Sequence, residues 1–495
     1  MERFLRWVTG FGIMLGAGLG VWAWTSNPPG QVRAAAAPTY YGEVQAILEQ
    51  NCVNCHSEGG IGPFSLTDPK EARKRAQEIA AVTQAGYMPP WMPAGDSPRF
   101  LYERGLSEEQ KAQLSAWAEA GAPLGQFRYR PVEVSKTIKA PDLTLPMTES
   151  YRPSAKYGTD DYHCFLLDPG LDRDVMVTGV DIKPGQPSIV HHVILFTVTG
   201  TALERAEQLN AQNGGKGWTC FGGPGLDSTG ASLIGGVAAA AGNAPRTTGN
   251  GYLGFWVPGK GQDRLPAGTA MPLRRGTKVI MQMHYNLASG VKPDLSSAKL
   301  YFAENPAGLR PLRPILLYAP TEIPCPEGLN SPECSRDHVL RENLLRYGPD
   351  SNLIALGMLL ACGKSAEEYS RNVGNASRVR STCDRRMGSR MDVFGVAGHM
   401  HLRGRAVKLE LNPGTPKAQT ILDIPAWNFH WQDQYWLEQP IAINPGDVVR
   451  VSCSWDNSLA AQPMVAGKPD APRYITWGEG TNEEMCLGAL MVANR

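Results

Sequence analysis

A strong charge bias and a second long hydrophobic segment are both missing from this sequence, and each absence excludes a class of protein. The 495 residues carry 48 Lys and Arg against 47 Asp and Glu, a formal net charge of +1, with no long run of one sign. We therefore expect no nucleic acid as a partner. After residue 24, no stretch is long and apolar enough to span a bilayer. Histidine is also scarce, at nine residues, so its clustering carries information.

The one long apolar stretch, residues 7–24, is typical of an export signal. Arg3 and Arg6 precede it, and a run of small residues follows it, with a predicted cleavage point near Ala37. Its length approaches the ~20 residues of a membrane-spanning helix, so an uncleaved segment that anchors the protein to the inner membrane is the alternative. Residues 1–37 are therefore predicted to be a signal peptide or anchor, and the remainder is predicted to be exported to the periplasm.

The ten cysteines suit an exported protein. Cys52 and Cys55 belong to the motif CVNCH, and the other eight form an even set, which predicts disulfides in an oxidising compartment. Short separations favour two of the pairs and leave four cysteines for two more: Cys325–Cys334, Cys362–Cys383, Cys164–Cys220 and Cys453–Cys486.

Residues 38–127 are predicted to form a small all-α domain. Asp68 and Gly86 have the positions of the N-cap and the stop of one helix. Ser107 and Gln110 form the capping-box pattern that begins another.

From residue 128 onward, short apolar runs bounded by Gly and Pro predict antiparallel β-structure. Two series of such runs predict two β-sandwiches of jelly-roll type, over residues 128–308 and 309–495. A polar, partly helical and cysteine-rich stretch at about 321–392 interrupts the second series. We interpret this stretch as an insertion that covers a cleft, docks the helical domain or forms a surface excursion.

The motif CVNCH predicts covalent attachment of one c-type haem. Cys52 and Cys55 would form thioethers with the porphyrin, and His56 would bind the iron. No second CxxC pair is present in the sequence to complete a zinc site.

Residues 38–127 resemble class I cytochromes c, which implies a methionine as the second axial ligand of the haem iron. Met88 and Met92 both precede proline. Met88 is preferred because it directly follows the predicted helix, and the alternative is that either side chain simply packs on the haem. A Met/His pair suits electron transfer and leaves no open position on the iron.

Five of the nine histidines form two tight pairs plus one. Residues i and i+2 of a strand share a face, so His399 and His401 can bind one ion. The neighbours His191 and His192 alternate faces in a regular strand, so they need a bulge, a strand end or different ring nitrogens to bind one ion with His284. The others outside the haem motif are interpreted as ordinary polar residues: His163, His338 and His430.

Imidazole alone does not name a metal, but the carboxy-terminal run EEMC narrows the choice. Met485 offers a thioether, a soft ligand that favours Cu(I). A disulfide from Cys486 to Cys453 would fix the backbone next to Met485 and hold its sulfur in place. The alternative is that Met485 only fills the core.

Five short pieces occur in one order between about residues 160 and 495: HH in VHHVILF, NAPRTTGNGYLGFWVPGKG, QMHYN, HMH in GHMHL, and EEMC. Together they resemble the copper type II, ascorbate-dependent monooxygenases, among them peptidylglycine α-hydroxylating monooxygenase and dopamine β-monooxygenase. The resemblance implies two copper ions, one in each sandwich, on either side of a solvent-filled cleft.

The resemblance also implies a role for each ligand set. An electron-transfer copper would bind to His191, His192 and His284, with Gln282 orienting that site or lying on the electron path. The oxygen-activating copper and the catalytic chemistry are assigned to His399, His401 and Met485.

The implied activity is hydroxylation of a C–H bond of a small organic substrate with O2. An ascorbate-like reductant or a redox protein supplies the electrons in such enzymes, and we predict that the fused haem relays them here. The alternative is a non-enzymatic periplasmic protein that binds copper or transfers electrons.

Three positions depart from the peptide-amidating members of that family. Those members hold the peptide carboxylate with Arg, Asn and Tyr, where this chain has Ala397, Leu487 and Ala489. A carboxylate clamp is therefore absent, which disfavours a peptidyl-glycine substrate and favours a less polar one.

Overall fold

The computed structural model describes residues 37–495 apart from 59–61, 95, 128–138, 155–159, 221–222, 227–249, 259, 262, 288–289, 348, 371–374, 466–467, 479 and 481. Pro38–Arg495 form one contact unit, and Met1–Ala37 form another, of which only Ala37 is described. The predicted export segment thus lies outside the described residues except for its last position. In the described part of the chain, no helix is long and apolar enough to cross a membrane.

The amino-terminal region is helical, as predicted. Asp68 Oδ1 accepts a hydrogen bond from the backbone N–H of Lys70 at 2.9 Å, and Ser107 and Gln110 form the predicted capping box. Its elements are a π-helix at Tyr40–Val44 and α-helices at Gln45–Asn51, Pro69–Lys74, Ala76–Gln84 and Glu108–Glu119.

One helix expected between Asp68 and Gly86 is in fact two. The helical backbone is interrupted at Arg75, which takes φ −102° and ψ 11°. The guanidinium of Arg75 lies 3.8 Å from the ring centroid of Phe64. We attribute the break to this tertiary contact, which outweighs the weak intrinsic helix propensity of a short segment.

The first β region contains two sheets whose inner faces enclose a core. The strands are β1 (Leu143–Pro146), β2 (Asp160–Leu167), β3 (Val175–Lys183), β4 (Val190–Val198), β5 (Trp218–Thr219), β6 (Asn250–Trp256), β7 (Asp263–Arg264), β8 (Thr269–Leu273), β9 (Lys278–Asn286), β10 (Ser297–Phe302) and β11 (Arg310–Pro311), and a helix at Gly200–Gln212 follows β4. One sheet has the strand order β1-β10-β3-β8-β11, with β7 paired to β3, and the other has the order β5-β2-β9-β4-β6. All pairs are antiparallel except β8 with β11.

The second β region repeats this plan with two four-stranded antiparallel sheets. The strands are β12 (Arg313–Tyr318), β13 (Glu322–Ile323), β14 (Val379–Arg386), β15 (Met391–His399), β16 (Gly404–Leu411), β17 (Gln419–Ile424), β18 (Gln434–Ile443), β19 (Val448–Trp455), β20 (Met464–Val465), β21 (Lys468–Pro469), β22 (Ile475–Thr476) and β23 (Leu487–Asn494). The two sheets have the strand orders β12-β23-β15-β18 and β14-β19-β16-β17, and two short ribbons pair β13 with β22 and β20 with β21.

Three α-helices lie within the predicted insertion, at Arg336–Tyr347, Pro349–Ala361 and Ala366–Ser370. We call Pro349–Ala361 the insertion helix. Val379–Arg386, near the end of the predicted insertion, form β14 and pair with β19. The helical part of the insertion therefore precedes this edge strand.

The four predicted disulfides are all present in the structure. Each closes a sequence separation of between 9 and 56 residues: Cys164–Cys220, Cys325–Cys334, Cys362–Cys383 and Cys453–Cys486.

The segment that follows the first helices packs directly on the second sandwich. Met92 and Phe100 are buried in the core of that sandwich. The backbone N–H of Ala94 donates to the carbonyl of Asp423 at 2.9 Å. The helical region and the β region are therefore joined by core packing and backbone hydrogen bonds.

A buried charge network joins three parts of the chain. Asp433 pairs with Arg104 of the helical region and lies 3.6 Å from Nζ of Lys260 in the first β region. Lys260 also lies 2.8 Å from Asp263. Burial alone would lower the pKa of Lys260, but the two carboxylates raise it.

Replacing Asp433 by asparagine is expected to lower the free energy of unfolding by about 2 kcal/mol, because Arg104 and Lys260 each lose a buried counter-charge. Urea titration followed by tryptophan fluorescence would measure the change. The control is Asp384→Asn, which breaks an exposed ion pair with Arg450; its expected cost is below about 1 kcal/mol. Equal costs for the two variants would contradict a role for the network.

Candidate metal centres

His191, His192 and His284 meet on two neighbouring strands, and we call them the triad. The first two lie on β4 and the third on β9. The register shifts between Val190 and His192, so His191 is an extra residue and His192 lies opposite His284. Such a β-bulge is one of the arrangements expected from the adjacent histidines.

One nitrogen of each triad imidazole points toward a common centre. Nδ1 of His192 lies 3.4 Å from Nδ1 of His191 and 3.3 Å from Nδ1 of His284. Tetrahedral donors about 2.0 Å from an ion lie about 3.3 Å apart, which matches these separations. Nε2 of His284 donates to Oδ1 of Asp160 at 3.0 Å, so its Nδ1 carries a lone pair. The triad therefore fits a metal ion held by nitrogen.

The surroundings of two triad residues, His191 and His192, favour neutral imidazoles. Burial lowers the pKa of His191 and of His192 well below the usual value, and the neighbouring ring of His284 lowers both further. Because a metal binds the neutral imidazole, these side chains need not lose a proton at neutral pH to do so.

His399 and His401 also lie together. His399 ends β15, and the ring centroids of the two residues are 5.1 Å apart. Nδ1 of His401 donates to the carbonyl oxygen of Glu483 at 3.1 Å, and Nδ1 of His399 donates to Oε1 of Gln432. Each Nε2 is then left to bind a metal, and each ring is held in place by its other nitrogen.

Met485 is the third predicted ligand of this second set. It is 5% exposed and lines the same cavity as His399 and His401. The adjoining Cys486 is bonded to Cys453. Burial lowers the pKa of His399 to about 4 and that of His401 well below its usual value. We call His399, His401 and Met485 the methionine site; two neutral imidazoles and a thioether form a set that favours Cu(I).

A buried carboxylate joins the two segments of the methionine site. Oε2 of Glu484 accepts from the backbone N–H of His401 at 2.9 Å and from the indole of Trp455 at 3.1 Å, and Oε1 accepts from the N–H of Arg403. Burial raises the pKa of Glu484 to about 7, against these hydrogen bonds and the charge of Arg403. Sequence reasoning did not single out Glu484, although it adjoins Met485 in EEMC.

Both ligand sets line one cavity of about 590 Å³, which we call the cleft. The triad contributes His192 and His284, and all three residues of the methionine site contribute. The ring of Phe429 stacks on His191 at 4.8 Å and lies 5.8 Å from the ring of His401. A molecule bound in the cleft would thus lie against ligands of both sets.

The three positions where peptide-amidating enzymes carry a carboxylate clamp also lie in the cleft. Ala397, Leu487 and Ala489 all line it, and Ala397 and Ala489 are register partners on β15 and β23. Gln282 lines it too, and its Nε2 donates to the carbonyl oxygens of Cys220 at 3.0 Å and of Gly223 at 2.7 Å. Gln282 therefore holds the backbone at Cys220 and at Gly223.

The remaining histidines differ in their distance from the two ligand sets. His163 stacks on Tyr151 at 4.1 Å and donates from Nε2 to the carbonyl of Lys216. His338 lies on the helix Arg336–Tyr347, which precedes the insertion helix. His430 has its ring centroid 6.1 Å from that of His191, close to the triad.

Cys52, Cys55 and His56 share one turn at the end of a helix. The two thiols are the cysteines outside disulfides in the described chain, and the N–H of His56 donates to the carbonyl of Cys52 at 2.9 Å. Nδ1 of His56 donates to the carbonyl of Phe64 at 3.2 Å, which leaves Nε2 for a metal. This pattern fits the protein side of a covalent haem site.

The two candidate methionines for the haem iron have different surroundings. Met92 is buried in the core of the second sandwich, and its sulfur accepts from the N–H of Asn428 at 3.2 Å. Met88 is half-buried and is not part of that core. Met88 therefore stays the predicted ligand, because the Met92 side chain is buried in another core and its sulfur accepts a hydrogen bond there.

Residues 358–493 match the family model "Copper type II ascorbate-dependent monooxygenase, C-terminal domain". The match contains the methionine site and supports the copper monooxygenase family. No curated protein matches the sequence.

Solved structures with broad coverage include allantoicase (8% identity, 63% of this chain and 83% of that chain, TM-score 0.15). Two others are a mutant oxalate decarboxylase from Bacillus subtilis (5%, 72% and 78%, 0.13) and vicilin from tomato (6%, 68% and 75%, 0.11). Similarity at these TM-scores supports no conclusion about fold or function.

Replacing Asp160 by asparagine is expected to weaken metal binding at the triad by about 10- to 100-fold, because the carboxylate that fixes the tautomer of His284 becomes a neutral amide that can also donate. Competition titration with a copper chelator would measure this change. Asp142→Asn is the control, since Asp142 lies beside the other sheet of the same sandwich and accepts from Phe302. Unchanged affinity in the Asp160 variant would show that this carboxylate does not orient the ligand.

Proposed function

We propose that this protein is a copper-dependent monooxygenase that inserts one atom of O2 into a C–H bond of a small organic substrate. The observation that carries the proposal is the pair of ligand sets on one cleft, one of which includes a thioether. When bound, copper supplies one-electron redox chemistry and an open position for O2. The net reaction converts R–H, O2, two electrons and two protons into R–OH and water.

The chain's own part is to hold the methionine site in one arrangement. Gln432 and the carbonyl of Glu483 fix the two imidazole rings, and Glu484 ties the backbone at His401 to the segment of Met485. Rigid, neutral ligands cost little reorganisation when the metal changes its charge.

We further propose that one c-type haem supplies the electrons. Cys52 and Cys55 would hold it covalently, and His56 and Met88 would bind its iron. A redox protein would then reduce the haem, and the haem would reduce the copper of the triad, whereas a small-molecule reductant such as ascorbate would reduce that copper directly.

Aromatic contacts between the helical region and the cleft support this route. Tyr87, which adjoins Met88, has its ring centroid 4.6 Å from that of Trp431. Phe429 lies two residues before Trp431 and stacks on His191 at 4.8 Å. The proposed haem ligand is thereby linked to a triad ligand through a short run of packed rings and one turn of backbone.

We propose that the protein works in the periplasm, where the N-terminal segment either is removed or anchors it to the inner membrane. The four disulfides support an oxidising compartment.

Oxygen uptake with stoichiometric formation of a hydroxylated product, measured across a panel of small substrates with ascorbate as reductant, tests the enzymatic proposal. A protein that only stores copper or relays electrons would take up no oxygen in step with product. That result would replace the proposed activity with the non-enzymatic alternative.

Replacing His56 by alanine is expected to abolish turnover driven through the haem, while turnover driven by ascorbate is kept, because only the haem route needs an axial imidazole. Trp431→Leu retains the haem motif and is expected to slow reoxidation of the reduced haem by the oxidised copper, as followed by the visible haem spectrum. His338→Ala, on the insertion, is the control. Equal haem reoxidation rates in wild type and Trp431→Leu would contradict the route through this ring.

A further inference from the structure

We propose that the cleft binds an uncharged, apolar molecule, and that the insertion helix forms the wall that selects it. The identification of that molecule as the substrate rests on the proposed function. Its binding does not require turnover and can be measured separately.

The insertion helix presents one face to the cleft. Ile354, Gly357 and Met358 line the cavity, at the i, i+3 and i+4 spacing that places residues on one side of a helix. Met358 is 8% exposed and packs in one cluster with Trp477 and the proposed ligand Met485. The insertion thus contributes directly to the space around the methionine site and is no surface excursion.

The insertion helix is tied down at both sides. Cys362, immediately after its last residue, is bonded to Cys383 on β14. The preceding helix is held through Asn343, whose Nδ2 donates to Oγ1 of Thr476 at 3.0 Å. Because the wall is fixed by a disulfide and by tertiary hydrogen bonds, its side chains can set the shape of the site.

The charge of the lining decides the class of ligand. Among the described residues that line the cleft, none is Lys or Arg, and Asp433 is the one carboxylate. Asp433 is already paired with Arg104 and lies 3.6 Å from Lys260. A bound anion would therefore find no cationic side chain, and Cu(I) prefers soft ligands to a carboxylate. A bound cation would find the carboxylate of Asp433 in use.

The apolar side chains near the methionine site come from three separate elements: Leu316 and Tyr318 on β12, Ile354 and Met358 on the insertion helix, and Leu487 and Ala489 on β23. An apolar ligand would remove this surface from water at a gain of roughly 25 cal/mol per Å². Both the charge and the lining favour a neutral hydrocarbon-rich ligand over a carboxylate.

The test compares butylbenzene with 4-phenylbutyrate on the full-length, copper-loaded protein, reduced and kept under argon so that no turnover occurs. Binding is followed by thermal stabilisation and by tryptophan fluorescence. We expect butylbenzene to bind at least about tenfold more tightly than the carboxylate, which would find no cationic side chain in the cleft and is a poor ligand for Cu(I).

Two matched variants locate the wall. Ile354→Glu places a charge on the cleft face and is expected to weaken butylbenzene binding by about tenfold or more. Leu356→Glu places the same charge on the outer face of the same helix, where Leu356 is 50% exposed, and is expected to leave binding unchanged. Ile354→Lys is expected to reverse the preference toward 4-phenylbutyrate, a gain that simple misfolding would not produce.

Equal affinity for the two probes, or equal binding in the Ile354 and Leu356 variants, would overturn the inference. Its failure is distinguishable from failure of the proposed function. Hydroxylation of a charged substrate without apolar binding would refute only the ligand class. Apolar binding at the insertion helix, without oxygen-dependent product from any substrate, would refute only the enzymatic proposal.

Discussion

Replacing Met485 by alanine is expected to lower substrate hydroxylation by about 100-fold or more, since removal of a metal ligand should cost at least as much as loss of an outer hydrogen bond. The thioether is the one soft donor in the methionine site, and no other part of that ligand set favours Cu(I). The triad and the haem motif lie on other elements and should keep their metals. Product formation with ascorbate, copper content and the haem spectrum would be measured together.

Two further variants separate ligation from packing at Met485. Met485→Leu keeps most of the volume but removes the sulfur, and should be as inactive as the alanine variant. Met391→Ala removes the same side chain type from the other end of β15, where Met391 is 2% exposed. That control should lose stability but keep activity. A fully active leucine variant would show that Met485 only fills the core.

Replacing His284 by alanine is expected to remove the triad copper and to lower hydroxylation by about 100-fold or more, because the second electron loses its carrier. His284 contributes one of three converging nitrogens and links the site to Asp160. Two imidazoles remain, a set too small for tight binding of the ion. Copper content should fall from two ions per chain to one, and the electron paramagnetic resonance spectrum of the oxidised protein should lose one of its two Cu(II) signals.

His163→Gln is the matched control for the triad. His163 is buried on β2, the strand that pairs with β9, and lies opposite Met283. His163 lies on the strand beside that of His284 but is outside the ligand set, so two copper ions should remain in this variant. Loss of copper from both variants would indicate that disruption of this sheet, rather than loss of a ligand, explains the His284 result.

Much of the architecture was accessible from the sequence because its signals are local. The capping box at Ser107, the strand pattern and the bulge, which was one of three alternatives for the adjacent histidines, all depend on residues close together in the chain. The disulfide pairs were also correct: short separations indicated two of them, and of the three ways to pair the other four cysteines the predicted one is present. The segment NAPRTTG of the resemblance, residues 243–249, lies outside the described residues.

The residues that hold the ligands could not be predicted, because their partners are distant in sequence. Asp160 lies 124 residues from His284, and Glu484 lies 83 residues from His401. Neither carboxylate has a local pattern that distinguishes it from a solvated acid. The position of the insertion helix depends on tertiary packing in the same way. The sequence therefore left three roles open, and the contacts of Ile354, Gly357 and Met358 with the cavity are what favour the proposed cleft wall.

Residues 427–432 contact the methionine site, the triad and the helical region. Trp427 donates to the carbonyl of His401, Asn428 donates to Met92, and Gln432 orients His399. Phe429 and Trp431 add the ring contacts with His191 and Tyr87.

The consequence concerns modular engineering. A chimera that joins this helical region to a different pair of sandwiches would have to transfer residues 427–432 with it, or rebuild their contacts on both sides. For the same reason, double substitutions within these six residues should show non-additive effects, even where the single changes address different metals.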